Sequence, residues 1–260
     1  MQQNERNTAL YEAILEGSRE AGLPEGWLGM MQTRQEVSAM LQMDEWIDLI
    51  IPRGSNAFVR YIMDHSSIPV LGHADGLCHV YVDRSADIPL AVRVSVDAKA
   101  QYVSVCNACE TLLVHQDIAP AFLPALKPAM EQAGVRLKGC ERTRAIIGAE
   151  PASDADWDAE YLDYVLSIRV VDTLDEAIAF INRHGSGHTD AIMAQDQEAA
   201  SRFLNEVDSA GCYLNCSTRF ADGFRYGFGA EVGVSTGKVH ARGPMGLEGL
   251  TIYKYKLLGS

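Results

Sequence analysis

No run of 18 or more apolar residues occurs in the 260-residue chain, so the sequence offers no candidate for a membrane-spanning helix. Residues 1–8 are polar and lack the apolar stretch of a secretory signal. Neither a GxGxxG fingerprint nor a P-loop is present, which removes the two strongest glycine-rich signatures of a nucleotide site. Positive charge is scarce: 22 Lys and Arg stand against 35 Asp and Glu, for a net charge of −13. Such a chain repels nucleic acid and anionic membrane surfaces, so neither is expected as a partner. An anionic substrate would need Arg or Lys set locally against that field. There is no internal repeat and no low-complexity segment.

What is present describes an ordinary globular chain. Hydrophobic residues make up 47% of it, enough for a sizeable core. Its six cysteines, Cys78, Cys106, Cys109, Cys140, Cys212 and Cys216, occur in a chain too large for a disulfide miniprotein. Reduced thiols in a cytoplasmic setting are the expectation.

Helical and strand-like segments alternate, which predicts an α/β fold with parallel strands. Leu10, Ile14 and Ala21 recur at helical spacing over 8–21, and Gly22 and Pro24 close that helix. A strand is expected near 27–31. Thr33 and Glu36 have the spacing of a capping box for a helix reaching about Leu41. A buried strand is read over 47–51, ended by Pro52, and Gly54-Ser55-Asn56 opens a helix expected to carry Phe58, Val59 and Ile62 on one face. Further strands are predicted over 79–82, 110–115, 166–171, 191–194 and 212–215. Helices are predicted over 90–100, over 121–133 and from a second Thr173/Glu176 capping box, with Ala177, Ile178 and Ile181 inward. Residues 148–158 read as a surface loop. Residues 217–249 read as a glycine- and arginine-rich loop of the kind that is usually functional or docked on a partner, and 250–258 as a strand-like tail.

Four features could carry chemistry. Cys106 lies at a helix-to-strand junction, where backbone N–H groups can depress a thiol pKa and hold an oxyanion; the plainer reading is that Cys106 and Cys109 are small core residues. Cys106-x-x-Cys109 with Cys212-x-x-x-Cys216 could form a Cys₄ zinc site, but apolar strands, not turn glycines, flank both pairs, and no metal is expected. Gly54-Ser55 lies where a helix N-terminus can meet a phosphate, or is simply an N-cap turn. Arg219, Arg225, Lys238, His240 and Arg242 cluster among glycines, which suits a carboxylate or phosphate ligand; salt bridges to Glu231 and Glu248 would explain them equally. His73, His79, His115, His184 and His188 have no mutual spacing that compels a metal site or a triad.

Several stretches in this order resemble the gamma-glutamyl phosphate reductase (glutamate-5-semialdehyde dehydrogenase) family. They are Asp48-Leu-Ile-Ile-Pro-Arg-Gly54, Gly76-x-Cys-His-Val-Tyr-Val-Asp83 and Val105-Cys-Asn-Ala-x-Glu-Thr-Leu-Leu-Val-His115. They continue with Ser186-Gly-His-Thr-Asp190, Asn215-x-Ser-Thr-Arg-Phe220, Gly227-Phe-Gly-Ala-Glu-Val-Gly233 and His240-Ala-Arg-Gly-Pro-Met-Gly-Leu-Glu248. The resemblance spans nearly the whole chain. It implies the aldehyde dehydrogenase fold: 1–68 as the end of a Rossmann-like cofactor domain, 69–245 as an α/β catalytic domain, and 246–260 as a C-terminal strand for homo-oligomer formation. It also implies NADPH-dependent reduction of gamma-glutamyl phosphate to glutamate-5-semialdehyde in proline biosynthesis. Cys106 would be the nucleophile and the Asn107 N–H would support the carbonyl charge. Gly54, Ser55 and Glu160 would lie at the cofactor. Arg219, Lys238 and Arg242 would grip the substrate, close together near Cys106. His73 falls where hydrolysing relatives carry a glutamate, which fits reduction. Cys109 and Cys216 occupy positions where the family commonly has an apolar or alanine residue. Most of the family's dinucleotide-binding portion has no counterpart here, so a truncated, non-catalytic chain is the alternative. A glutamate 5-kinase is an expected partner.

Overall fold

The computed structural model describes residues 2–73, 75–239 and 241–259. Its centre is a seven-stranded sheet in the order β4-β3-β5-β2-β1-β6-β7. In chain order the strands are β1 (Cys78–Val82), β2 (Cys109–His115), β3 (Arg136–Gly139), β4 (Glu150–Pro151), β5 (Val165–Val171), β6 (Thr189–Met193) and β7 (Gly211–Leu214). Every neighbouring pair is parallel. A parallel sheet needs helical crossovers and is covered on both faces, so its central strands are apolar throughout. β1 and β2 are buried along their full length.

Alternation along those strands feeds two cores. Val80, Val82, Leu112, Val114, Ile168 and Val170 face one side, where α4 (Ile88–Ala100), α5 (Ala119–Gln132) and α6 (Glu141–Ile147) cover them. Tyr81, Leu113 and Ile192 face the other, against α7 (Leu174–His184) and α8 (Gln197–Glu206). Each fully buried Leu, Ile or Phe contributes roughly 1.5–3 kcal/mol. The inward face of α7 is the expected one, with Ala177, Ile178 and Ile181 buried. Its start is only half the predicted box. The Thr173 side chain accepts from Glu176 N, but Glu176 Oε2 accepts from Asp172 N at 2.8 Å, one residue upstream.

Ahead of the sheet lie α1 (Gln2–Glu20), α2 (Arg34–Met40) and α3 (Asn56–His65). Thr33 and Glu36 do form a reciprocal capping box. Ser55 caps α3, accepting from Phe58 N. Val59 and Ile62 are buried there, whereas Phe58 is 41% exposed. Two expected strands are absent: 27–31 is irregular, with Trp27 exposed, and 47–51 contributes only an isolated bridge from Ile50 to Val70. Short apolar runs satisfy a strand pattern, but a strand needs a neighbouring edge to pair with, and among the described residues these runs pair no further than the Ile50–Val70 bridge.

Residues 217–249 are not wholly irregular. β8 (Gly233–Ser235) and β9 (Gly243–Met245) pair as an antiparallel ribbon. That ribbon is tied to the segment before β1: Arg53 donates to Val232 O at 2.8 Å and His73 Nδ1 pairs with Val234 O at 2.9 Å. Residues 252–259 are exposed and belong to no helix or strand. No described helix is long and apolar enough to cross a membrane.

Candidate active site

Four loops entering β1, β2, β5 and β6 meet at the amino-terminal edge of the sheet. The neighbour relations β5-β2-β1-β6 bring together residues far apart in sequence. Cys106 precedes β2, His73 and Gly76 precede β1, Glu160 precedes β5 and His188 precedes β6. A cavity of about 320 Å³ opens here, lined by Arg53, Gly54, Asn56, His73, Cys106 and Glu160 among others. A second cavity, about 390 Å³, lies at the opposite, carboxyl ends of the strands and is lined by Asp83, His115, Asp172, Asp196 and Arg202. Ligands in open α/β sheets usually bind at that end. It holds no thiol, and the chemistry-bearing residues converge on the other edge.

The loop bearing Cys106 is held from several sides. Lys99 at the end of α4 and Glu110 at the start of β2 bracket it with a fully buried ion pair, Nζ to Oε2 2.6 Å. Gly76 packs directly on the Cys106 backbone, where an added Cβ would collide with the carbonyl O and Cα. Neither backbone can yield, so glycine is required by close approach. The Cys78 thiol donates to Cys106 O at 3.3 Å.

Cys106 is half-buried, unlike Cys78 and Cys109, which are buried. Burial pushes its thiol up to about 11; Glu160 and Glu231 add to the rise, while its own backbone N–H and Arg219 oppose it. A cysteine nucleophile acts as thiolate, so in this state the group is a protonated thiol at neutral pH. Asn107 is an anchor: Nδ2 donates to Ala221 O at 2.9 Å, its carbonyl accepts from Thr218 Oγ1 at 2.7 Å, and Oδ1 accepts from Arg219. Among the described residues no hydrogen bond occupies the Asn107 backbone N–H.

Glu160 is committed on both oxygens, Oε1 to Gly76 N at 2.9 Å and Oε2 to Asn56 Nδ2 at 2.7 Å. It thereby ties the start of α3 to the loops around Cys106. Gly54 lines the same cavity, whereas Ser55 turns to its capping role.

The three basic residues have different hydrogen-bond and ion-pair partners. Arg219 binds Asn107 and Gln101, beside the thiol. Lys238 and Arg242 instead both pair with Asp208, Arg242 at 3.0 Å. An acidic residue within reach neutralised what composition alone left open. His240 lies outside the described residues. Arg225 donates to Arg219 O at 3.1 Å.

Sequence reasoning missed His188. It is 1% exposed, and burial with the neighbouring His73 lowers its pKa to about 3, so it stays neutral. The rings of His73 and His188 meet edge to face at 5.1 Å. The available signal was the Ser186-Gly-His-Thr-Asp190 stretch, but 115 residues separate the two imidazoles in sequence. Adjacency of β1 and β6, paired at Val80 and Ala191, brings their entry loops together.

A parallel α/β sheet thus carries a loop thiol at its amino edge, with an antiparallel ribbon from the C-terminal region tied to the segment before β1. The sequence profile of the aldehyde dehydrogenase family matches residues 2–150 and 145–254, and the chain belongs to that family. It is 63% identical to the gamma-glutamyl phosphate reductase of Pelotomaculum thermopropionicum and 59% identical to that of Acetivibrio thermocellus. Each match covers 98% of this chain and 59% of the relative. The crystal structure of the Thermotoga maritima gamma-glutamyl phosphate reductase superposes with a TM-score of 0.94 at 42% identity, over 98% of this chain and 62% of that one. A betaine aldehyde dehydrogenase of Staphylococcus aureus, solved with NAD+, shares the fold at 18% identity and a TM-score of 0.65, over 92% of this chain and 56% of that one. The chain thus spans about three-fifths of the length of these reductases.

Proposed function

We propose that this chain is the thiol-bearing portion of an NADPH-dependent gamma-glutamyl phosphate reductase. The observation that carries the reading is the half-buried Cys106 thiol in a cavity it shares with Glu160, His73 and Gly54. The Cys106 sulfur attacks the acyl phosphate carbon, a C–S bond forms as the S–H bond breaks, the C–O bond to phosphate breaks, and phosphate leaves with that electron pair and carries off the thiol proton. The Asn107 N–H, unoccupied within the described chain, is the donor for the developing oxyanion. NADPH, when bound, supplies the hydride that resolves the thioester.

The residues present fit one part of that cofactor. Glu160 faces the cavity with each oxygen accepting a single hydrogen bond, which leaves acceptor capacity for a ribose hydroxyl. Gly54 beside it leaves room for close backbone approach. His73 falls where hydrolysing relatives carry a glutamate, and the absence of a carboxylate there fits reduction. Arg219 is the cation placed to meet the substrate's carboxylate or phosphate. The domain division at about residue 68, the glutamate 5-kinase partner that would make the labile acyl phosphate, and a cytoplasmic location belong to the same reading.

In the full-length enzyme, Cys106→Ser abolishes reductase turnover, while Cys109→Ala and Cys216→Ala retain most of it. Full activity in Cys106→Ser sinks the mechanism. Arg219→Ala loses tenfold or more in kcat/KM, about 1.4 kcal/mol of transition-state binding. Lys238→Ala and Arg242→Ala, whose charges already rest on Asp208, lose less. Steady-state kinetics that rank them the other way would remove Arg219 from the substrate site.

A further inference from the structure

His73, Cys106 and His188 each present one ligand atom, and these atoms all lie within 4.8 Å of one another. Tetrahedral zinc, with Zn–N and Zn–S bonds of roughly 2.0 and 2.3 Å, separates its ligand atoms by roughly 3.3–3.5 Å. Rotamer adjustments of about 1 Å therefore close the set.

The imidazoles are already oriented. His73 Nδ1 can only donate to the Val234 carbonyl, at 2.9 Å, so its Nε2 carries the lone pair. His188 Nδ1 pairs with Thr189 Oγ1 at 2.9 Å, and its Nε2 is buried without a hydrogen-bond partner. A buried, unpartnered ring nitrogen costs free energy unless something meets it. Second-sphere oxygens that fix the imidazole tautomer are the usual companions of metal-ligating histidine. Charge favours a cation here too, since Glu160 and Glu231 both act on the Cys106 sulfur and the chain carries a net charge of −13.

We propose that His73 Nε2, Cys106 Sγ and His188 Nε2 form a binding site for a thiophilic divalent cation of the zinc class, which caps the Cys106 sulfur reversibly. Binding releases the thiol proton to solvent, and a water from the cavity completes the fourth position. One Cys and two His exclude magnesium and calcium, which take oxygen ligands. Occupancy removes the sulfur from reaction, and a chelator restores it. The site exists whether or not the chain reduces an acyl phosphate, so metal binding and turnover fail independently.

The test uses the intact chain with the metal alone. Zn2+ titrated calorimetrically binds at one site, with a released proton revealed by buffers of different ionisation enthalpy. Co2+ gives thiolate charge-transfer and tetrahedral d–d absorption. Zn2+ slows iodoacetamide alkylation of Cys106, read by peptide mass spectrometry. His73→Asn and His188→Asn each weaken Zn2+ binding at least about tenfold, Cys106→Ser abolishes the charge-transfer band, and Cys212→Ser changes nothing. Circular dichroism identifies any variant that fails to fold; for these, alkylation protection in the unaltered chain decides. No protection of Cys106 by Zn2+, or binding indifferent to both histidines in folded variants, overturns the proposal.

Discussion

The Cys106 thiol sits between opposing influences. Desolvation, Glu160 and Glu231 favour the proton, while its own backbone N–H and Arg219 favour the thiolate. With its pKa near 11, alkylation of Cys106 by iodoacetamide rises about tenfold per pH unit from 7 toward 11. Glu160→Gln keeps an acceptor for Gly76 N but removes one negative charge, so it shifts that profile to lower pH. An unchanged or upward-shifted profile, followed by mass spectrometry, would show that Glu160 does not act on the sulfur. A positive ligand beside the sulfur would shift the same balance towards the thiolate, whereas further exclusion of water would shift it towards the thiol. Much at this scale was legible in the chain. Cys106 was singled out from its junction position, and the Val105-Cys-Asn stretch carried the family resemblance. The partner of Lys238 and Arg242 was not legible, because Asp208, which takes up their charge, lies 30 and 34 residues away along the chain.

Elements place these residues. The ion pair between Lys99 on α4 and Glu110 on β2 closes the loop that presents Cys106, and both side chains are almost fully buried. Burial holds the Glu110 carboxyl up at about 7 even beside Lys99, so without Lys99 it takes up a proton and stays as an under-satisfied buried acid. Lys99→Met therefore destabilises by about 1–3 kcal/mol, whereas Lys99→Met combined with Glu110→Leu recovers most of that loss. Chemical denaturation of the two variants checks this, and equal stability losses would show that the under-satisfied acid is not the issue. The helix and strand pattern of the central fold followed from periodicity, because buried parallel strands are apolar runs and capped helices announce their starts. β3, α6 and α8 were missed, and two short apolar runs were read as strands. Four-residue strands and polar amphipathic helices such as α8 carry weak local signals. Whether a short run becomes a strand depends on an available edge.

For the molecule as a whole, about three-fifths of the length of its reductase relatives is present. Apolar side chains are exposed on α1, at Leu10 and Ile14, and along the tail at Ile252, Tyr253, Tyr255, Leu257 and Leu258. We propose that the tail pairs with a second subunit, since an exposed apolar segment outside any helix or strand is a template for strand addition. A chain ending at Leu250 is expected to elute as a smaller species than the unaltered chain in size-exclusion chromatography with light scattering. The same oligomer mass for both would remove the tail from assembly.

The sequence by itself determined the α/β alternation, the absence of a self-contained dinucleotide fingerprint and the family, and it singled out Cys106 as the thiol to test. These properties reside in local pattern, composition and motif, and they survive without knowledge of which strands are neighbours. Only the tertiary structure decided that His73 and His188 face Cys106, that Glu160 ties three loops together, and that Asp208 takes up the charge of both Lys238 and Arg242. Strand order is a property of the closed sheet. The order β5-β2-β1-β6 makes neighbours of loops more than a hundred residues apart, and no periodicity along the chain encodes that adjacency.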